Sequence, residues 1–271
     1  MDRMSTVAGQ FYPGDPFRIK DLARKLISRP AGEDLPSPPV MLAMVPHAGY
    51  IFSGPTAGRT LSRTALDGTI IMLGPNHTGM GAKMAVWPDG TWRFPGAGLP
   101  VNSDLASALT SAEARLVADR SAHMREHSLE VILPLLYYLN PTLRIVPICV
   151  SEPNLEILSA VAASMAEVIK AWPEKTCLLV SSDMSHYISA SQAKTQDNKA
   201  LERILALDPD GLYSTARANN ITMCGVLPMT LGLFIVKALG ASKAELIYYS
   251  HSGQVTGDTE QVVGYAGVLV W

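Results

Sequence analysis

Short uncharged apolar runs alternate with longer segments of helical spacing along most of this chain. Residues 40–45, 69–73, 144–151 and 176–181 read as strands buried on both faces, and 246–250 and 262–270 close the series. Between them the spacing predicts helices. Asp15-Pro16 opens the first, with Ile19, Leu22 and Leu26 as its apolar stripe. Others are predicted over 56–66, from Ser103 as a cap, over 126–139 despite Pro134, and over 154–172. The last of these puts Leu155, Leu158, Val161, Ala162, Met165 and Ile169 on one face. Two more cover 190–206 and 209–218, and another follows Met223-Cys224. Residues 83–95 read as a hairpin turning at Asp89-Gly90, and 31–39 as a Pro-rich surface connection. Strand–helix alternation without a linker predicts a single α/β domain over 1–271, its central sheet mostly parallel or mixed, with helices on both faces.

Composition narrows the function classes. Of 271 residues, 48% are hydrophobic and 17% charged, which supplies a large core and argues against disorder. The net charge is -2 and no basic tract occurs, so nucleic acid is not an expected partner. The N-terminal stretch lacks the apolar core of a signal peptide. The longest charge-free stretch, 219–236, contains Asn219, Gly225, Pro228 and Gly232, so it reads as a buried helix and not a membrane span. Three cysteines do not make a disulfide framework, and a reducing cytoplasm is the expected location.

Candidate chemistry follows from strand ends. Ligands of open α/β sheets bind beyond the carboxyl ends of the strands. His47 follows the strand ending at Val45, His77 follows the strand ending at Leu73, and Asp183 and His186 follow Ser181. Gly49 and Gly74, with Pro46 and Pro75, would form tight turns that aim both imidazoles. Either histidine alone is explained by a structural bond to a loop carbonyl. Their repeated strand–turn–His placement points to a metal or catalytic site. Cys224 precedes an apolar helical pattern, where the helix dipole would favour a thiolate, but a small buried hydrophobe is an equal reading. Cys149 and Cys177 read as buried strand residues. Glu126 and His127 are predicted at the start of an apolar helix, where Glu126 also suits the dipole. His123 reads as solvated in a polar loop. His251 follows a strand end with no role assigned. A cysteine hydrolase using Cys224 and a histidine has the right residue types but no local protease signature.

The strings VAGQFYPGDP, VPHAGYIFSGPTAGRT, LGPNHTG, REHSLEVILPLL, VSSDMSHY, MCGVLPM and SGQVTGDTEQVVGYAGVLV occur in this order. From about residue 7 onward the chain resembles the Memo family, a part of the AmmeMemoRadiSam set. The resemblance implies a fold similar to class III extradiol dioxygenases, which hold Fe(II) with two histidines and a carboxylate. It places metal ligands on His47, His77 and Cys224. Fe(II) is the first candidate ion, with copper and zinc as alternatives. Asp183 and His186 resemble residues that flank the family's pocket; His186 is a second acid/base candidate beside His127, and Asp183 is expected to orient one imidazole by accepting its N–H proton. His127 resembles the Asp-His-Gly histidine of the dioxygenases, to which an acid/base role belongs. Cys224 stands where a carboxylate would be expected, and thiolate favours softer ions. The implied function is a metal-dependent redox enzyme with a small-molecule substrate, aromatic compounds among the candidates. The alternative is a metal- or peptide-binding module without turnover, since animal relatives are described as binding phosphotyrosine peptides. An AMMECR-type protein and a radical SAM protein are the implied functional partners.

Overall fold

A computed structural model describes residues 1–28 and 39–271; most of the Pro-rich connection predicted at 31–39 lies outside them. The chain runs α1 (Pro16–Leu26), β1 (Leu42–Val45), α2 (Tyr50–Ser62), β2 (Thr69–Pro75), β3 (Met84–Val86), β4 (Thr91–Phe94), β5 (Ala97–Pro100), α3 (Ser103–Ala112) and β6 (Val117–Ala118). It continues through α4 (Leu133–Leu139), β7 (Arg144–Val150), α5 (Leu155–Ala171), β8 (Thr176–Ser181), β9 (His186–Ile188), α6 (Ala190–Leu205), α7 (Pro209–Ala218), α8 (Val226–Ala238), β10 (Ala244–His251) and β11 (Val262–Val270).

The main sheet is mixed, in the order β10-β11-β1-β8-β2-β7-β3-β6, with β9 added on β11. Its centre, β1, β8, β2 and β7, is parallel. Alternate residues of each central strand enter opposite cores, which is why these strands read as unbroken apolar runs. Met44, Ile71, Leu73 and Val180 pack with α3, α5, α6, α7 and α8. Ala43, Val45, Ile70, Met72 and Leu179 pack with α1, α2, α4 and the β4–β5 hairpin. Among the described residues, no helix is long and apolar enough to cross a membrane.

Several local readings change. The predicted helix over 56–66 begins earlier, at Tyr50. Gly49 is its N-cap, Tyr50 N–H donates to the Phe11 carbonyl at 2.7 Å, and Ser53 Oγ donates to the Ala48 carbonyl at 2.7 Å. Pro55 inside it would leave the Ile51 carbonyl unbonded, and Ile51 is exposed to water. The hairpin falls one strand later than predicted. β3 joins the main sheet, and β4 pairs with β5 across Pro95-Gly96, where Gly96 has φ 85°. Asn102, not Ser103, caps α3, its side chain accepting the Leu105 N–H. The helix predicted over 126–139 starts only at Leu133, because Pro134 suits a first turn; a 3-10 turn at Glu130–Ile132 precedes it. His123 is not solvated. It is buried against the edges of Trp87 and Trp92, with Nε2 at 3.0 Å from the Ala85 carbonyl and Nδ1 at 3.4 Å from Cys149 Sγ. Burial pushes its imidazole down to about 4, so it is neutral at physiological pH.

One buried ion pair ties the N-terminal segment to the loop before α4. Arg3 Nη1 donates to Glu130 Oε2 at 2.7 Å, and both side chains are buried. The remaining Arg3 nitrogens donate to the His123 carbonyl at 2.9 Å and the Glu126 carbonyl at 2.6 Å, and the guanidinium stacks on Trp92. Glu130 also accepts from Thr6 N, Val7 N and the Tyr12 hydroxyl. Burial works to raise the Glu130 carboxyl, but Arg3 and these donors hold it below its ordinary range. Removing one partner leaves the other charge buried and unpaired. Arg3→Ala should therefore cost about 3–5 kcal/mol in urea unfolding. A loss under about 1 kcal/mol would mean that other contacts hold the loop.

Candidate metal centre

The carboxyl ends of β1, β2 and β8 lie side by side, and the turns after them build the site. Ser182 N–H donates to the Val45 carbonyl at 2.9 Å, joining the ends of β1 and β8. Asp183 Oδ1 then accepts the backbone N–H of His47 at 2.8 Å and of Ala48 at 3.3 Å. Loop 126–129 crosses over the end of β2 at Gly74. A Cβ there would lie 2.7 Å from Leu129 Cδ2 and 2.9 Å from Ser128 Oγ, so only glycine admits the loop. Gly225 does the same before α8, where a Cβ would lie 2.3 Å from Ser182 Cβ.

These turns bring His47, His77 and Cys224 together, with one donor atom from each lying within 4.8 Å of the others. The ring centroids of His47 and His77 are 5.3 Å apart, and Cys224 Sγ is 3.5 Å from His47 Nε2. Each imidazole is locked in one tautomer. His47 Nδ1 is 2.7 Å from Ser181 Oγ, and that hydroxyl donates its own proton to the Ser128 carbonyl at 2.7 Å. Ser181 can therefore only accept from Nδ1–H, which leaves a lone pair on His47 Nε2. His77 Nδ1 is 2.9 Å from Glu126 Oε1, an acceptor when ionised, so His77 Nε2 is freed in the same way.

Glu126 has three N–H donors. Oε2 accepts from His77 N at 2.6 Å, and Oε1 accepts from His77 Nδ1 and from Ser128 N at 2.9 Å. Burial works to raise its carboxyl, but these donors outweigh burial and hold it down at about 2. His77, Glu126 and His127 also approach closely enough to hold an ion. The committed oxygens of Glu126 favour a different role, that of a carboxylate orienting a ligating histidine.

The other candidates surround this group. His127 stacks on His77 at 4.9 Å between ring centroids, stands edge-on to His47 at 5.5 Å, and touches Phe11 at 4.8 Å. Its Nδ1 is 3.7 Å from Glu126 Oε1, too long for a hydrogen bond, so its nitrogens remain uncommitted. Burial lowers its affinity for a proton. Asp183 is buried and accepts the backbone N–H groups of His47 and Ala48, not the imidazole N–H expected of it; burial raises its carboxyl despite these donors. His186 is not one of the grouped donors; its Nδ1 donates to the Thr222 carbonyl at 3.0 Å, which leaves Nε2 free. His251 ends β10 on the same sheet edge, with Nδ1 buried and unbonded.

Cys224 departs from the expectation of a helix-stabilised thiolate. It precedes α8, but burial and the nearby Asp183 carboxylate push its thiol up, well above the usual range. The Asp183 N–H at 3.2 Å and the helix end do not offset this. Without a cation the group is a thiol. The sequence reading missed Glu126, Ser181 and Phe11 as site residues. Glu126 was hidden by its fit to a helix start that does not form. Ser181 lies in the VSSDMSHY string, but only its position as the last residue of β8 sets it against His47.

An α/β fold with a His/His/Cys donor set on the carboxyl edge of its sheet is the class of protein these features define. The chain belongs to the Memo family, the description "Memo-like protein" matching residues 3–269. It is 39% identical to a MEMO1 family protein of Methanopyrus kandleri over 99% of both chains. Identity is 37% to MEMO1 family proteins of Methanosarcina barkeri, over 99% of both chains, and of Aquifex aeolicus, over 98% of both. The fold is similar to the crystal structure of an uncharacterized Escherichia coli K12 protein, with TM-score 0.50 and 11% identity, covering 83% of this chain and 98% of that one.

Glu126→Gln tests the orienting role. One amide oxygen cannot accept all three N–H donors, and the amide NH2 would oppose one of them. Divalent-ion affinity, measured by competition with a chromophoric chelator, should fall by roughly 10–100-fold. Unchanged affinity would remove Glu126 from the site. Proton release gives a second check. A thiol that ligates only as thiolate should release about one proton per ion at mildly alkaline pH. Burial works to lower the His77 imidazole, but Glu126 outweighs it and holds His77 above its ordinary value. Release should therefore rise toward about two protons as pH falls and His77 becomes protonated. Calorimetry in buffers of different ionisation enthalpy reads this number, and release near zero at every pH would exclude Cys224 as a thiolate ligand.

Proposed function

We propose that His47, His77 and Cys224 bind one metal ion and that the protein is a metal-dependent redox enzyme acting on a small molecule. The observation that carries this reading is the pair of locked tautomers. Two imidazoles whose Nδ1 atoms are tied to acceptors keep Nε2 free, and one donor atom from each lies within 4.8 Å of the other and of Cys224 Sγ. Three protein donors leave coordination positions open, as catalytic sites require. Fe(II) is the first candidate ion. The thiol among the donors keeps copper and zinc as alternatives, because soft ligands favour softer ions. A bound iron or copper ion would supply redox and Lewis-acid chemistry at its open positions.

The chain's own residues supply the rest. His127 is neutral near physiological pH, since burial lowers its proton affinity, and it has nitrogens free to take a proton from a substrate hydroxyl. His186 offers a free Nε2 for a second transfer. Asp183 fixes the His47 backbone, and its buried carboxyl interacts electrostatically with His186 and His127. Phe11 packs on His127 and limits water at that ring.

A binding module without turnover is the second reading. The thiol in the donor set supports it, because a soft site can hold copper or zinc without redox catalysis.

His47→Ala and His77→Ala should fold but lose most bound metal, and Cys224→Ser should bind more weakly with preference shifted from soft ions. Elemental analysis of freshly purified variants reads this directly. Wild-type metal content in all three would end the proposal. Fe(II)-loaded protein incubated aerobically with catechols should consume oxygen and form a ring-cleavage absorbance. His127→Gln should keep its metal and lose roughly 100-fold or more in turnover. Metal binding with no turnover on any catechol would favour the binding module.

A further inference from the structure

Three non-glycine residues among those described have positive φ: Tyr187 at 58°, Leu207 at 52° and Asn220 at 51°. Two have an ordinary cause. Leu207 follows the end of α6, where Asp208 N–H returns to the Arg203 carbonyl at 2.9 Å. Asn220 follows the end of α7, where Ile221 N–H returns to the Ala216 carbonyl at 2.9 Å. Both are left-handed helix caps that satisfy orphan carbonyls. Tyr187 closes no helix.

Tyr187 sits in a β-bulge. Ile188 pairs with Val262 and His186 with Val263, so Tyr187 is the extra residue of β9 against β11. Glycine is the usual occupant of a left-handed bulge position, and a bulky aromatic there is strained. The neighbours enforce the conformation: Ser185 N–H donates to Asp197 at 2.9 Å, His186 N–H to Thr222 Oγ1 at 2.8 Å, and Ala190 N–H to the Thr259 carbonyl at 2.9 Å. The side chain returns little packing to the fold in exchange, since Tyr187 is 75% exposed. Its ring lies 5.8 Å from the His186 ring at 56°. Bulges of this kind re-aim a side chain beside a site, and strain retained without packing gain points to a role outside the fold.

We propose that Tyr187 is a substrate-contacting residue, whose exposed ring receives a planar, aromatic portion of the ligand and sets it beside His186. This deepens the proposed function and rests on it for the location of the reacting centre. Aromatic pairs gain from offset or edge-on contact beyond the area they bury, and a ring held on a strained bulge is preorganised for that contact.

The test uses 4-nitrocatechol as the aromatic probe, with full-length Fe(II)-loaded protein under anaerobic conditions. Tyr187→Gly relieves the strained backbone, so it should melt a few degrees higher than wild type while keeping its metal. It should bind 4-nitrocatechol about tenfold more weakly. Tyr187→Asn, which also tolerates the left-handed region, should lose the same affinity, and Tyr187→Phe should bind as wild type. Metal content in the same samples separates the two readings: absent metal in wild type defeats the proposed function, whereas full metal with altered probe binding reports on Tyr187. Wild-type affinity in the Gly and Asn variants would overturn the inference. So would no binding by wild type, or a lower melting temperature for Tyr187→Gly, which would make the tyrosine structural.

Discussion

The site depends on one buried charge pair remote from its donor atoms. Arg3 and Glu130 cannot be separated without stranding a charge in the interior, so the N-terminal segment and the loop before α4 form one unit. That unit fixes Glu126, whose backbone carbonyl accepts from Arg3 while its side chain holds His77 from two directions. The same loop supplies the Ser128 carbonyl that takes the Ser181 proton and so sets the tautomer of His47. Both imidazoles thus take their orientation from 126–130.

Two burial costs in the pocket bear on the ion proposed for it. Burial, and the neighbouring His127 and His77, disfavour a charge on His47. Burial and Asp183 disfavour a thiolate at Cys224. A cation reverses the second penalty and uses the neutral form that the first enforces. His127 stacks on His77 and stands edge-on to His47, and neither of its nitrogens has a hydrogen-bond partner that would fix it as a donor. A site that binds metal through two neutral imidazoles and one thiolate has a single negative donor, which suits ions that accept soft ligands.

The parallel centre of the sheet was legible in the chain because β1, β2, β7 and β8 are buried on both faces, which leaves unbroken apolar runs. Placing His47, His77, Asp183 and His186 on one sheet edge needed only those strands and their direction. The hairpin was misplaced because Asp89-Gly90 and Pro95-Gly96 are both sound turn signals. Which one turns a hairpin depends on β3 finding β7 and β6, a long-range pairing. His123 looked solvated because its neighbours in sequence are polar, whereas its neighbours in space are Trp87, Trp92 and Cys149. Glu126 and Ser181 act through partners far off in the chain, and no local spacing encodes such a contact.

Anomalous diffraction from crystals of the metal-loaded protein, collected on either side of the metal's absorption edge, tests the central claim most directly. The account predicts one strong peak bonded to Nε2 of His47, Nε2 of His77 and Sγ of Cys224, with Glu126 still paired to His77 Nδ1. A peak bonded to Glu126 and His127, or coordination through Nδ1 of either His47 or His77, would contradict it.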